Sequence, residues 1–168
     1  TDPVAKFIPT FENLKVLACD ETGESKEVDL ARPPTVRSLL THTSGLSYDF
    51  LEDSPVAELY RQTGISNNAD RTLEELVHEL SRMPLAFQPE SRWHYSLGID
   101  VAARLIEIIS GQPLEQFLKE HIFDPLGMVD TGFSVAAEEQ YRIATMYGLP
   151  DLFSPNMTMS KLFEAWSK

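Results

Sequence analysis

The sequence has 168 residues, enough for one unit with a core, and its 26 acidic against 14 basic side chains give a net charge of −12. Such a surface repels phosphate backbones and anionic lipid, which argues against nucleic acid and membranes as partners. No apolar run approaches the ~20 residues of a bilayer span, and a single cysteine, Cys19, excludes an internal disulfide. There is neither a secretion signal nor an initiating Met, so the compartment is unread. The whole chain, 1–168, reads as one unit.

Asp2-Pro3-Val4-Ala5-Lys6-Phe7-Ile8-Pro9 reads as one short helical turn, with Asp2 as cap, Pro3 in the first position and Pro9 as stop. Lys15 to Cys19 and Glu27 to Leu30 flank a polar turn centred on Gly23 and predict a small hairpin. Cys19 is expected to be a buried small hydrophobe. A short helix is expected from Val36 to Thr41, with Leu39 and Leu40 facing inward, and residues 42–53 read as loop. Ser54-Pro55 opens a helix to about Thr63, stopped by Gly64. Thr72 and Glu75 form a capping box for a helix to about Arg82, whose Leu73, Leu76, Val77 and Leu80 recur at helical spacing. Met83 to Trp93 is irregular. The strongest helix runs from about Leu97 to Ser110. Its stripe of Leu97, Val101, Leu105 and Ile108, flanked by Ala102, Ile106 and Ile109, predicts burial on most sides. Asp100 and Arg104 are spaced to pair on the remaining face. Gly111 ends it, Pro113 opens another helix through about His121, and Asp124 to Gly127 closes that one. Residues 134–168 give weak helical hints. The sum is mainly α with a short β-hairpin.

Tyr95 stands in Arg92-Trp93-His94-Tyr95-Ser96-Leu97-Gly98, at the entrance to the strongest helix. A tyrosine held there serves as a general base if cations lower its ordinary pKa of ~10. An aromatic wedge packing the helix start is the other reading, and local sequence alone favours it. His42-Thr43-Ser44-Gly45 invites a Ser–His pairing, but the glycine two before the serine that a nucleophile elbow requires is absent. A loop whose Thr43 and Ser44 bond the backbone and whose Gly45 takes a positive φ fits better. His42, His78, His94 and His121 form no close metal-ligand pair, and there is no glycine-rich phosphate loop, so neither metal nor cofactor is expected.

The stretch Thr35-Val36-Arg37-Ser38-Leu39-Leu40-Thr41-His42-Thr43-Ser44-Gly45-Leu46 is similar to the T-x-R-x-L-L-T-H-T-S-G-L segment of class C β-lactamases, family VIII esterases and DD-peptidases. Pro84-Leu85-Ala86-Phe87-Gln88-Pro89-Glu90-Ser91-Arg92-Trp93-His94-Tyr95-Ser96 resembles that family's P-L-x-F-x-P-G-x-x-W-x-Y-S approach to its catalytic tyrosine. Gly111-Gln112-Pro113-Leu114, Ile122-Phe123-Asp124-Pro125-Leu126-Gly127-Met128 and Asp130-Thr131-Gly132-Phe133 follow in family order. Asp2-Pro3-Val4 resembles the D-D-P-V segment. The resemblance covers about residues 1–133.

This resemblance implies an acyl-enzyme hydrolase in which a serine of S-x-x-K attacks an ester or β-lactam carbonyl while lysine and tyrosine move protons. Tyr95 falls on the tyrosine. Leu97 falls where many members carry asparagine, which tilts the reading towards esters, and Leu97 and Trp93 are the candidate substrate contacts. Glu90 replaces a turn glycine. No S-x-x-K and no K-T-G or H-x-G occurs in the 168 residues; Thr158-Met159-Ser160-Lys161 lacks the family context. The chain therefore resembles the helical lobe of the β-lactamase/transpeptidase-like fold, an internal fragment expected to be inactive alone. The alternative is a non-catalytic helical scaffold or partner-binding module. Apolar surface left uncovered predicts a homodimer.

Overall fold

A computed structural model describes residues 2–19, 24–51, 53–65 and 70–144. The chain starts with two 3-10 turns, Val4–Lys6 and Pro9–Asn13. Pro9 does not simply stop the first turn; it occupies the first position of the second, where its missing N–H costs nothing. Asp2 does not cap with its side chain. Its carboxylate pairs with Lys6 at 2.8 Å, and its carbonyl accepts from Val36 N–H at 3.0 Å. The first described residues are thereby laced to Val36.

Strands β1 (Lys15–Cys19) and β2 (Ser25–Asp29) pair antiparallel with Val16 opposite Val28. The turn centred on Gly23 lies outside the described residues. On its other edge β1 bonds to Leu85, with Leu85 N–H to Lys15 C=O at 2.7 Å and Leu17 N–H to Leu85 C=O at 2.9 Å. Cys19 is exposed rather than buried. It ends a two-stranded ribbon whose buried residue is Val16, and its thiol lies 3.4 Å from Ser25 Oγ.

Helix α1 spans Val36–Leu40 behind a capping box of Thr35 and Ser38. Leu39 is fully buried and Leu40 is exposed, since neighbours on a helix point about 100° apart. Helix α2 (Ala57–Thr63) ends on Gly64 at φ 61°. Helix α3 (Leu73–Leu80) carries both halves of the expected Thr72/Glu75 capping box. Helix α4 (Gly98–Ser110) ends on Gly111, and α5 (Leu114–Leu118) runs on into a π-helical turn, Lys119–Phe123. Of the weak hints after 134, a 3-10 turn forms at Ala137–Arg142; residues 145–168, including Thr158 to Lys161, lie outside the described residues. Among the described residues no helix is long and apolar enough to cross a membrane.

One core gathers Val4, Phe11, Leu39, Tyr60, Leu85 and Val101 with their neighbours. Gly98 lets α4 approach α1, because a Cβ there would lie 2.8 Å from the Leu39 carbonyl oxygen. The expected burial of α4 on most sides does not occur. Val101 and Leu105 are buried, but Ile109 is 64 % exposed, and beyond Leu105 no described residue is buried. The apolar stripe is wider than the surface these residues cover. Nor do Asp100 and Arg104 pair: Arg104 reaches Glu107 at 3.0 Å and Glu74 on α3 at 3.1 Å, and two carboxylates outcompete one.

Candidate active site

The loop after α1 and the turn before α4 lie side by side, and main-chain hydrogen bonds fix their register. Ala86 N–H donates to Gly45 C=O at 2.7 Å, Glu90 N–H to Thr43 C=O at 2.7 Å, His94 N–H to His42 C=O at 2.8 Å and Leu97 N–H to Ser47 C=O at 3.3 Å. Two residues meet this geometry with strained backbones. His42 has φ 52° and Glu90 has φ 64°, a region L side chains enter at a cost. Glu90 thus keeps the turn conformation a glycine favours, tethered by its ion pair to Arg32 at 2.9 Å. Gly45 takes φ 89°, and a Cβ there would stand 2.2 Å from the Phe87 carbonyl oxygen. The Thr-Ser-Gly loop is therefore a packing device. Ser44 is buried and its Oγ faces Leu46 N–H at 3.4 Å.

Tyr95 is half-buried in this seam with a ring on either hand. His42 lies 5.0 Å from it, centroid to centroid, and Tyr48 lies 5.1 Å away. Trp93 packs edge-on against His42 at 6.1 Å and Phe50 stacks on Tyr48 at 4.9 Å. Trp93, 45 % exposed, is the open wall of the cluster, whereas Leu97, 5 % exposed, belongs to the core. The structure thus brings Tyr95 and Trp93 to one aromatic surface and sets Leu97 behind it.

Polar groups thread the rings. Ser96 Oγ accepts from Gly98 N–H at 3.3 Å and lies 3.3 Å from His42 Nδ1. Burial holds the His42 pKa below the ordinary imidazole value. Tyr48 is pushed well above the usual phenol range, by burial first, then by the negative charge of Asp100 and by Tyr95, with which it shares a hydrogen bond. Burial also raises the Asp100 carboxyl. Beneath the rings, His94 Nε2 lies 2.9 Å from Ser47 Oγ, which lies 2.7 Å from Ser54 Oγ. Burial drives the His94 pKa down to about 4, with Asp53 opposing and Arg92 reinforcing the shift.

Sequence reasoning missed Tyr48 and the Ser47–His94 bridge. Tyr48-Asp49-Phe50 in a loop was a visible signal for an aromatic surface, but nothing in the spacing of residues 47 apart announces their contact. Among the described residues no group of three or more His, Cys, Asp or Glu is placed to hold a metal ion.

Solved structures share this fold. EstCE1, "a hydrolase with promiscuous acyltransferase activity", is 30 % identical with a TM-score of 0.63, over 82 % of this chain and 34 % of that one. The architecture is that of a partly helical portion of the β-lactamase/transpeptidase-like fold. The sequence model of the Beta-lactamase family matches residues 1–162, and the chain belongs to that family. Esterase EstB of Burkholderia gladioli is 39 % identical over 153 residues, 89 % of this chain and 36 % of EstB. The lovastatin esterase of Penicillium rubens is 41 % identical over 112 residues, 67 % of this chain and 27 % of that enzyme. The chain spans about a third of the length of the curated relatives it matches.

Proposed function

We propose that these residues are the tyrosine-bearing lobe of a serine hydrolase that cleaves esters, with β-lactams as the second substrate class, through an acyl-enzyme. The observation that carries the reading is Tyr95, half-open at the mouth of α4 and held between His42 and Tyr48. A catalytic phenol needs such fixing, because proton transfer depends on placement first.

In the proposed reaction a serine from an S-x-x-K segment, which these 168 residues do not contain, adds to the ester carbonyl. The serine O–C bond forms and the ester C–O bond breaks. The serine proton passes by way of the Tyr95 oxygen to the leaving alcohol. Water then attacks the acyl-serine by the reverse proton path, returning the serine and releasing the acid. Trp93 forms a wall for the substrate and Leu97 supports Tyr95 from the core. An apolar Leu97 offers no amide to a substrate amide, which favours esters.

Alone, the 168 residues are inactive, since a base without a nucleophile does not run acyl transfer. The test is covalent labelling. A fluorophosphonate or a fluorescent penicillin leaves this chain unlabelled and labels the same chain extended to include S-x-x-K. Labelling of the 168 residues themselves would refute the assignment. A second reading, a non-catalytic scaffold or docking module, has one observation in its favour, the exposed apolar residues Ile99, Ile108, Ile109, Leu126 and Phe133. On either reading the isolated chain pairs with a second copy through such exposed apolar residues, and light scattering that finds a strict monomer at high concentration contradicts the pairing.

A further inference from the structure

Two segments build the tyrosine site, residues 42–51 and 86–97, and beside the 3.3 Å contact of His42 with Ser96 a buried side-chain bridge that includes Ser54 joins them. His94, Ser47 and Ser54 are all buried. With Ser47 O–H donating to Ser54 Oγ at 2.7 Å, the Ser47 oxygen is the acceptor for a proton on His94 Nε2 at 2.9 Å. A neutral imidazole protonated on Nε2 satisfies this row. Main-chain bonds close the same seam on both sides of the bridge, His94 N–H to His42 C=O and Leu97 N–H to Ser47 C=O. Tyr95 hangs between those two bonds, and Tyr48 directly follows Ser47. The His94 side chain therefore fastens the loop that carries Tyr48 to the turn that carries Tyr95.

The geometry points to His94 as the positioning residue of the site, a neutral imidazole that acts through Ser47 to hold the Tyr95 phenol against Tyr48. The inference takes its catalytic meaning from the proposed role of Tyr95, but its test does not. A second proton on His94 puts a full charge into a buried row whose neighbour is the Phe87 ring, 4.9 Å away between centroids. Of the charged groups facing the imidazole, Asp53 favours that charge and Arg92, whose guanidinium carbon lies 3.2 Å from the Phe87 ring centroid, opposes it. His42 titrates in the same seam and is told apart by its own resonance. Acid is thus expected to release the seam locally, before the core yields.

The experiment is an NMR titration of the 168-residue chain from pH 7 to pH 3. It follows ring-to-ring nuclear Overhauser contacts between Tyr48 and Tyr95, both histidine resonances, and the amides of Val77 and Leu80 in α3. The Tyr48–Tyr95 contact is expected to fade in step with His94 protonation while the α3 amides persist. His94→Gln, whose amide can donate to Ser47, keeps the contact down to pH 3, and His94→Phe loses it already at pH 7. The inference falls if the contact outlives His94 protonation, fades at the same pH in His94→Gln, survives in His94→Phe, or vanishes together with the α3 amides. Should His94→Phe fail to fold, the wild-type and His94→Gln arms decide. A failed catalytic role for Tyr95 would leave all these readouts unmoved, so the two failures are distinguishable.

Discussion

Gly45→Ala tests the close approach on which the site rests. Gly45 combines φ 89° with a virtual Cβ 2.2 Å from the Phe87 carbonyl oxygen, while Gly64 has φ 61° and open space within 4 Å. Alanine at either position enters the left-handed region, at a cost of about 1–2 kcal/mol. At Gly45 the main chain of residues 85–88 must also retreat, an overpacking cost of about 1–3 kcal/mol. That retreat strains the 2.7 Å bond from Ala86 N–H to Gly45 C=O, worth about 1 kcal/mol. Gly45→Ala should therefore lose about 3–6 kcal/mol and Gly64→Ala about 1–2 kcal/mol. Urea unfolding followed by circular dichroism reads both, as a drop in midpoint at unchanged slope. Equal losses in the two variants would refute the argument, because they would leave only the φ penalty that both share.

Tyr60 is fully buried, and its hydroxyl makes no hydrogen bond of good geometry among the described residues, with only the Ser47 main chain near it. Tyr60→Phe should accordingly be neutral or stabilising by about 1 kcal/mol in the same urea assay, and a loss above 1 kcal/mol would show that the hydroxyl is paired. For His94, the folded pKa of about 4 lies below the ordinary 6.5. Its contribution to stability is whole above pH 6.5 and is lost as the pH falls from 6.5 towards 4, because the unfolded chain takes up the proton first. At 1.36 kcal/mol per unit the loss is on the order of 3 kcal/mol by pH 4. His94→Gln should flatten the pH dependence between 6.5 and 4.5, leaving the smaller part from His42, and an unchanged slope would contradict the burial argument. Thr72→Ala removes a cap whose oxygen accepts from Glu75 N–H at 3.2 Å; about 1 kcal/mol of stability should go with it, and no change in urea midpoint would mean the cap is idle.

Local chemistry in the sequence was a good guide wherever a single residue decides the backbone. Thr72 with Glu75, Gly64 and Gly111 marked helix ends that the structure keeps, and the hairpin strands stand within two residues of their expected places. Patterning failed where burial depends on what else is present. The Ile108 and Ile109 side of α4 is apolar enough to be core yet faces outward, because periodicity reports a residue's preference and not whether a neighbour exists. Cys19 failed for the same reason at the end of a thin ribbon. In the candidate site, the proposed role of Tyr95 rests on its place among ordered motifs and not on its own surroundings. The rings that flank it, His42 and Tyr48, come from a loop about fifty residues away, brought close by hydrogen bonds from Ala86, Glu90 and His94. Such long-range bonds leave no periodic trace in a sequence.

Hydrolysis of a p-nitrophenyl ester by three proteins tests the central claim most directly: the 168-residue chain, a longer protein containing it together with an S-x-x-K segment, and that longer protein with Tyr95→Phe. Turnover is expected in the longer protein alone, with kcat/KM lower by about 10²–10⁴-fold in Tyr95→Phe and an unchanged fold by circular dichroism. Turnover by the 168 residues, or full activity of the longer Tyr95→Phe protein, would contradict it.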